Sequence, residues 1–201
     1  MIFVCSRGRR ESLCRFFMIS KPSLAGRVLI DDDDPTYEGM ELPKGWKFVS
    51  GPRASVTQIL NRAFESMPKE PFYGVICDDM VYQTQGWDIS LSEKCQPKFV
   101  SWGDDGRRGA TLCTSFFVGG DLVRHFGWLV HPATGHLYGD TIWWAIARGA
   151  DIARYDPTVQ FRHHKINDDT YRQRRTGGDS AAFKSMIDEE IPALALRAAC
   201  L

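Results

Sequence analysis

Two aspartates in a row, Asp78-Asp79, follow directly on the apolar run Phe72 to Cys77. A strand there delivers at least one carboxylate to its own carboxyl end, where open α/β sheets place their ligands. Oxygen ligands of this kind suit hard divalent ions such as Mg2+ or Mn2+, often shared with substrate phosphates. The same pair also reads as a turn in which an aspartate caps the next segment. His163-His164 end a late apolar run, flanked by Arg162 and Lys165, and on an extended chain only one of two neighbours faces a given site. Ser6-Arg7-Gly8-Arg9-Arg10 offers hydroxyl, backbone and guanidinium donors to a nucleotide diphosphate, or else a solvated basic loop. The acidic run Asp31 to Asp34 is either a solvated turn or the source of one carboxylate for a base or ribose. Asp140 either caps a helix or accepts a proton from a reacting hydroxyl. His125, His131 and His136 are scattered and show no ligand spacing.

The elements that must position these groups follow from periodicity. Ile2 to Cys5 is a short strand, and Leu13, Phe16, Phe17 and Ile19 recur at near-helical spacing after the basic loop. Arg27 to Ile30 is a second strand, ended by the acidic run and Pro35. The clearest helix carries Val56, Ile59, Leu60, Ala63, Phe64 and Met67 as one apolar stripe. Arg53 just before it and Asn61 within it are polar points that the stripe does not explain. Phe72 to Cys77 is a strand, as are Phe99 to Trp102 and Cys113 to Val118, split by the polar loop Gly103 to Gly109. Gly119-Gly120 and Gly127 bracket a short helix, and Ile142, Trp143 and Ile146 mark another that Asp140 opens and Gly149 ends. Thr158 to Phe161 makes a last strand, and the chain is helical again from Asp179.

Composition limits the class. The chain of 201 residues is 43% hydrophobic and 25% charged, which excludes a disordered, collagen-like or coiled-coil protein. Its length suits one domain with a sizeable core. Lys+Arg and Asp+Glu number 25 each, so no global field draws it to nucleic acid or anionic membrane. No segment approaches the roughly 18–20 apolar residues of a membrane span, and the amino-terminal charge order is the reverse of a secretory signal. Six scattered cysteines without a CxxC point to reduced thiols and a cytoplasmic setting.

The ordered series of Ser6-Arg7-Gly8-Arg9, the acidic loop, Gly51-Pro52-Arg53, Asn61, Cys77-Asp78-Asp79-Met80, Gln85-Gly86-Trp87-Asp88, the run His136 to Trp144 and the run Asp156 to His164 resembles GT-A-fold glycosyltransferases of the family 2 type. The likeness extends from about Ile2 to Tyr171 and is nearest the small bacterial and phage-encoded branch with a GDDH-type motif. It implies a single α/β domain of GT-A, Rossmann-like architecture, with a central mixed, mostly parallel sheet flanked by helices. Residues 1–80 are then the nucleotide-binding half, 81–171 the acceptor half and 172–201 carboxy-terminal helices.

Carried over residue by residue, the resemblance makes Asp79 and His163 metal-binding, for Mn2+ or Mg2+. Ser6, Arg7, Arg9, Asp31, Asp33, Arg53, Asn61 and Asp78 fall around a UDP- or GDP-linked sugar donor, and Asp140 in the place of the catalytic base. Trp102, Asp104 and Tyr138 fall on the acceptor side, among the aromatic groups Trp128, Trp143 and Trp144. The implied activity is metal-dependent, inverting transfer of a sugar to an acceptor hydroxyl. That acceptor is a saccharide, a small molecule or a modified base of phage DNA, the last suggested by Arg107-Arg108 and Arg172 to Arg175. Two other readings remain at this stage: a nucleotidyltransferase of GT-A-like fold, and a non-catalytic sugar- or nucleotide-binding module.

Overall fold

A computed structural model describes residues 1–164 and 178–201; Asp168 to Tyr171 and Arg172 to Arg175 lie outside them. Chain order begins β1 (Ile2–Cys5), α1 (Arg10–Ser20), β2 (Gly26–Asp31), β3 (Trp46–Gly51), α2 (Val56–Ser66), β4 (Phe72–Cys77), β5 (Met80–Tyr82) and α3 (Trp87–Cys95). It continues β6 (Val100–Asp104), β7 (Phe117–Gly119), α4 (Gly120–Phe126), α5 (Gly139–Gly149), β8 (Ala153–His163), α6 (Gly178–Met186) and α7 (Glu190–Ala199). The eight strands form one sheet in the order β3-β2-β1-β4-β7-β6-β8-β5. The first four pair in parallel, β7 turns antiparallel between β4 and β6, β6 and β8 are parallel, and β5 closes the far edge antiparallel to β8. This is the α/β architecture with a mixed, mostly parallel sheet that the sequence led us to expect.

Alternation along the strands splits the core into two layers. Ile2 and Val4 face one side with Leu13, Phe16, Trp46, Trp87 and Leu91, under α1 and α3. Phe3 faces the other with Leu60, Phe64, Leu122, Trp143 and Leu194, under α2, α4, α5 and α7. Two of these helices have starts with a clear local cause. Ser55 Oγ accepts from Gln58 N at 3.3 Å while Gln58 Oε1 accepts from Ser55 N at 3.1 Å, a reciprocal capping box that fixes α2. At α3, Trp87 stacks on Tyr82 with centroids 3.7 Å apart and its indole donates to Ser20 O, pinning β5 and α1 to one aromatic wedge.

Several boundaries differ from expectation. β3, β5 and α3 carried too few periodic residues to stand out. The expected strand over Cys113 to Val118 is shorter, because Ser115 adopts φ +57° and the chain pairs only from Phe117. The last strand is longer: β8 starts at Ala153 beside β6, shifts register opposite Gly103, and carries on to His163 against β5. The shift occurs where β6 has no side chain, since a Cβ on Gly103 would lie 2.4 Å from Val159 O.

Gly119, at the junction of β7 and α4, is tighter still, with a Cβ there falling 2.1 Å from Pro97 O and 2.5 Å from Cys95 O. Gly119→Ala is expected to destabilise the protein by about 1–3 kcal/mol through forced backbone displacement. Thermal or urea unfolding checks this; an unchanged midpoint would show that the α3–β6 connection yields freely.

Candidate functional site

The carboxyl ends of β1 and β4 are adjacent, with Cys5 opposite Cys77 in register, so the residues that leave these strands meet. Ser6 Oγ donates to Asp78 Oδ2 at 2.6 Å, and the Arg9 guanidinium reaches Asp78 Oδ1 at 3.1 Å and Asp79 Oδ2 at 3.7 Å. The turn of Asp78 and Asp79 leads straight into β5, whose antiparallel partner β8 ends at His163 opposite Met80. Its Nε2 lies 2.9 Å from Asp79 Oδ2. His164 contributes only its backbone N–H, which donates to Asp79 O at 2.7 Å, and its side chain is exposed. Alternation on the strand thus separates the two histidines. Met80 is buried in the core beneath them.

Both aspartates are buried, at 3% and 7% relative exposure. Burial pushes the Asp78 carboxyl above its usual range, opposed by the hydrogen bond from Ser6 and the charge of Arg9. Asp79 Oδ1 is buried with no hydrogen-bond partner among the described residues. An orphaned carboxylate oxygen beside an imidazole is a donor set that suits a divalent cation.

A cleft of about 410 Å³ opens over these strand ends, lined by Ser6, Arg7, Arg9, Asp31, Arg53 and Asp78 together with Ser55, Gly135, His136 and Asp179. Arg7 holds its floor through Asp31 Oδ2 at 2.5 Å and Asp33 Oδ1 at 2.7 Å. Those two carboxylates keep the Arg7 guanidinium firmly protonated. Asp31 is buried and keeps an unpartnered Oδ1, whereas Asp33 is exposed and braces Arg7 from outside the cleft wall.

Asn61 stands apart from this cleft. Its side chain accepts from Leu129 N and Val130 N at 2.8 and 2.9 Å and donates to Val130 O at 2.8 Å, so it stitches α2 to the loop after α4. That fixed amide explains the polar break in the α2 stripe, and Asn61 is not among the residues that line the cleft.

On the acceptor side, Trp102 is 1% exposed and its indole donates to Gly109 O, so it belongs to the core and is no platform for an acceptor. Trp143 is equally buried. Asp104 is half-buried and accepts from Gly106 N at 2.8 Å. Its neighbour Asp105, absent from the expected set, accepts from the N–H groups of Arg107, Arg108 and Gly109 through one oxygen, shaping that polar loop.

Asp140 is the second residue of α5 and not its cap, since the flanking residue is Tyr138, held at φ +70°. Among the described residues the Asp140 carboxylate accepts from Thr141, at 2.7 Å from N and 3.2 Å from Oγ1. Burial raises its pKa above the ordinary value, with the two Thr141 hydrogen bonds and, more weakly, the charge of Arg108 opposing. Such a group is poised to accept a proton nearer neutrality than a solvated aspartate. Asp140 stands outside the cleft walls, beyond the loop whose Gly135 and His136 line them. Tyr138 stacks face to face on Phe183 of α6.

Sequence reasoning passed over the contacts that hold this loop. Asp179 accepts from Gly135 N, His136 N and Leu137 N at 2.8, 2.8 and 2.7 Å, and His131 Nε2 lies 2.9 Å from Glu190 Oε1. The spacing of these groups in the chain gave no signal, because each bond spans more than 40 positions.

No family model and no curated protein matches the sequence. Among solved structures, the fold is similar to that of the mannosyltransferase PcManGT from Pyrobaculum calidifontis, solved in complex with GDP-Man and Mn2+. The TM-score is 0.69 at 12% identity, over 98% of this chain and 68% of that one. It is similar also to S. aureus TarS, with a TM-score of 0.55 at 12% identity over 96% of this chain and 41% of that one. A nucleotidyl transferase from Methanothermobacter thermautotroptrophicus gives 0.52 at 10% identity, over 92% and 97%. These likenesses establish the GT-A-like fold. Among the described residues no helix is long and apolar enough to cross a membrane.

The role of Asn61 is directly testable. Asn61→Ala leaves buried backbone groups unpaired and is expected to cost about 1–3 kcal/mol of stability, with the affinity for nucleoside diphosphates unchanged. Melting curves and calorimetry on the same sample read both; weaker nucleotide binding at full stability would return Asn61 to the donor site.

Proposed function

We propose that the chain is a glycosyltransferase that moves a sugar from a UDP- or GDP-linked donor to an acceptor hydroxyl with inversion. The reading rests above all on the constellation of Ser6, Arg9, Asp78, Asp79 and His163 at adjoining strand ends beneath a cleft of about 410 Å³. The similarity of fold to a mannosyltransferase solved with GDP-Man and Mn2+ supports it. Asp31, Arg7 and Arg53 would border the nucleoside, and Ser6, Arg9 and Asp78 the diphosphate and ribose. Asp104 and Tyr138 would border the acceptor.

Asp79 and His163 would hold a Mn2+ or Mg2+ ion. Among the described residues no set of three or more His, Cys, Asp or Glu side chains forms a metal site of its own, so the remaining ligands would be diphosphate oxygens and water. When bound, the ion supplies charge neutralisation to the departing diphosphate. Arg9 adds a fixed positive charge at the same place. Asp140 would take the proton of the acceptor hydroxyl as its oxygen attacks the anomeric carbon. The bond to the diphosphate then breaks on the opposite face, and its electron pair leaves with the nucleoside diphosphate.

Incubation with UDP- and GDP-sugars and Mn2+, with release of nucleoside diphosphate as the readout, tests the proposal. Pyrophosphate formed from a nucleoside triphosphate and a sugar 1-phosphate would make it a nucleotidyltransferase, the reading favoured by the similar Methanothermobacter fold. Nucleotide binding with neither reaction would leave a binding module. Hydroxymethylated DNA belongs in the acceptor panel, where glycosylation that weakens with salt is the expected sign of a DNA acceptor.

Two variants separate the roles. Asp79→Ala is expected to abolish the part of UDP or GDP affinity that depends on Mn2+, measured by calorimetry with and without the ion. Asp140→Asn is expected to lower turnover by roughly 10²–10⁴-fold with donor binding intact. Because burial raises the Asp140 pKa, the base loses its proton only above the ordinary aspartate value of about 3.9. Turnover of the wild type should therefore rise with pH through a limb above that value and fall below it, and the Asn variant should lack that limb.

A further inference from the structure

The loop His131 to Tyr138 forms one wall of the cleft and runs directly into the helix that carries Asp140. Three contacts from the last two helices converge on it. The Asp179 carboxylate accepts from three consecutive backbone N–H groups, at Gly135, His136 and Leu137. The Phe183 ring lies parallel to Tyr138, with centroids 4.6 Å apart and planes 5° off. Glu190 meets His131. From the other side, Gly135 O accepts from Thr57 N in the first turn of α2, so the loop is held between the nucleotide half and the carboxy-terminal helices.

We propose that Asp179 is a positioning residue of the active site: by gripping Gly135 to Leu137 it sets both the cleft wall and the start of α5, and so the placement of Asp140 relative to the donor. The proposal rests on the transfer reading above. Its chemistry is specific to a carboxylate. Both oxygens are used, one by Gly135 and one by His136 and Leu137, and an amide at this position offers one acceptor oxygen and turns an N–H₂ toward N–H donors. Burial works to raise the Asp179 pKa, but the three backbone donors outweigh it and hold the group ionised below the usual range. Asp179 lines the cleft, but Ser6, Arg9 and Asp78 are fixed to one another at the strand ends, so loosening the loop should disturb the base more than the donor.

Asp179→Asn tests this with three readings. Hydrogen–deuterium exchange over residues 131–144 should accelerate in the variant while β1 and β4 stay protected. The kcat for nucleoside diphosphate release should fall by roughly 10–100-fold, the size expected for a reacting group displaced by about 1 Å, with the affinity for UDP or GDP in Mn2+ falling by a much smaller factor because Asp179 also lines the cleft. The pH limb of kcat should move down toward the ordinary aspartate range as Asp140 gains water. Phe183→Leu, which removes the ring contact and keeps the carboxylate, should show the same pattern more weakly and covers the case of an unfolded Asp179→Asn. Unchanged exchange over 131–144, or a lower melting temperature with kcat and its pH limb intact, overturns the positioning role. Failure of the wild type to release nucleotide from any donor overturns the transfer reading instead, and exchange then decides alone whether Asp179 sets the loop.

Discussion

Two neighbouring carboxylates buried at the end of a strand are the constraint around which this structure is organised. Asp78 and Asp79 are nearly inaccessible to water, and leaving such charges unpaired would be prohibitive. Compensation arrives as three groups from two separate parts of the chain: a hydroxyl at Ser6 and a guanidinium at Arg9 from the loop after β1, and an imidazole at His163 from the end of β8. The polar loop after β1 has to lie across the end of β4, and β8 has to run to the far edge of the sheet, for these partners to meet. The arrangement is incomplete at one atom, Asp79 Oδ1, and that atom is where the proposed chemistry begins.

The fold divides its labour accordingly. The parallel strands β3, β2, β1 and β4 end in groups that line the cleft. β7 runs antiparallel between β4 and β6, and a loop lies on either side of it in the sequence. One is shaped by Asp105 and the other by Asp179, each a carboxylate that collects three backbone N–H groups. A loop fixed in this way forfeits little entropy when a ligand arrives, because its backbone is already ordered.

Much of this was legible in the residues. The α2 stripe, the strand before Asp78 and the two glycines around α4 each follow from local periodicity and turn chemistry. So does the delivery of Asp78 and Asp79 to a strand end. Asn61 and Trp102, placed at the site from the sequence, turn out to bind backbone groups, for one reason. A polar atom on a helix and an indole beside a polar loop look alike in sequence whether they bind substrate or satisfy a distant backbone, and here Val130 and Gly109 claim them. The difference between His163 and His164 needed the register of β8 on β5, which depends on a shift at Gly103 that no local pattern announces. Asp179 was visible only as the start of a helix, since its partners lie 42 to 44 positions earlier.

The position of β4 in the sheet bears on how the protein is made. One of its edges is filled early by β1, but its other neighbour is β7, which begins 40 positions after β4 ends. While a ribosome is adding those residues, the nascent amino-terminal half presents an apolar strand with a row of unsatisfied N–H and C=O groups, a template for pairing with the wrong chain. The last strand that settles Asp79 is synthesised later still. Assembly of the site is thus a late event dominated by contacts distant in sequence, which folds slowly, and the interval before β7 arrives is the one in which a chaperone would have most to protect.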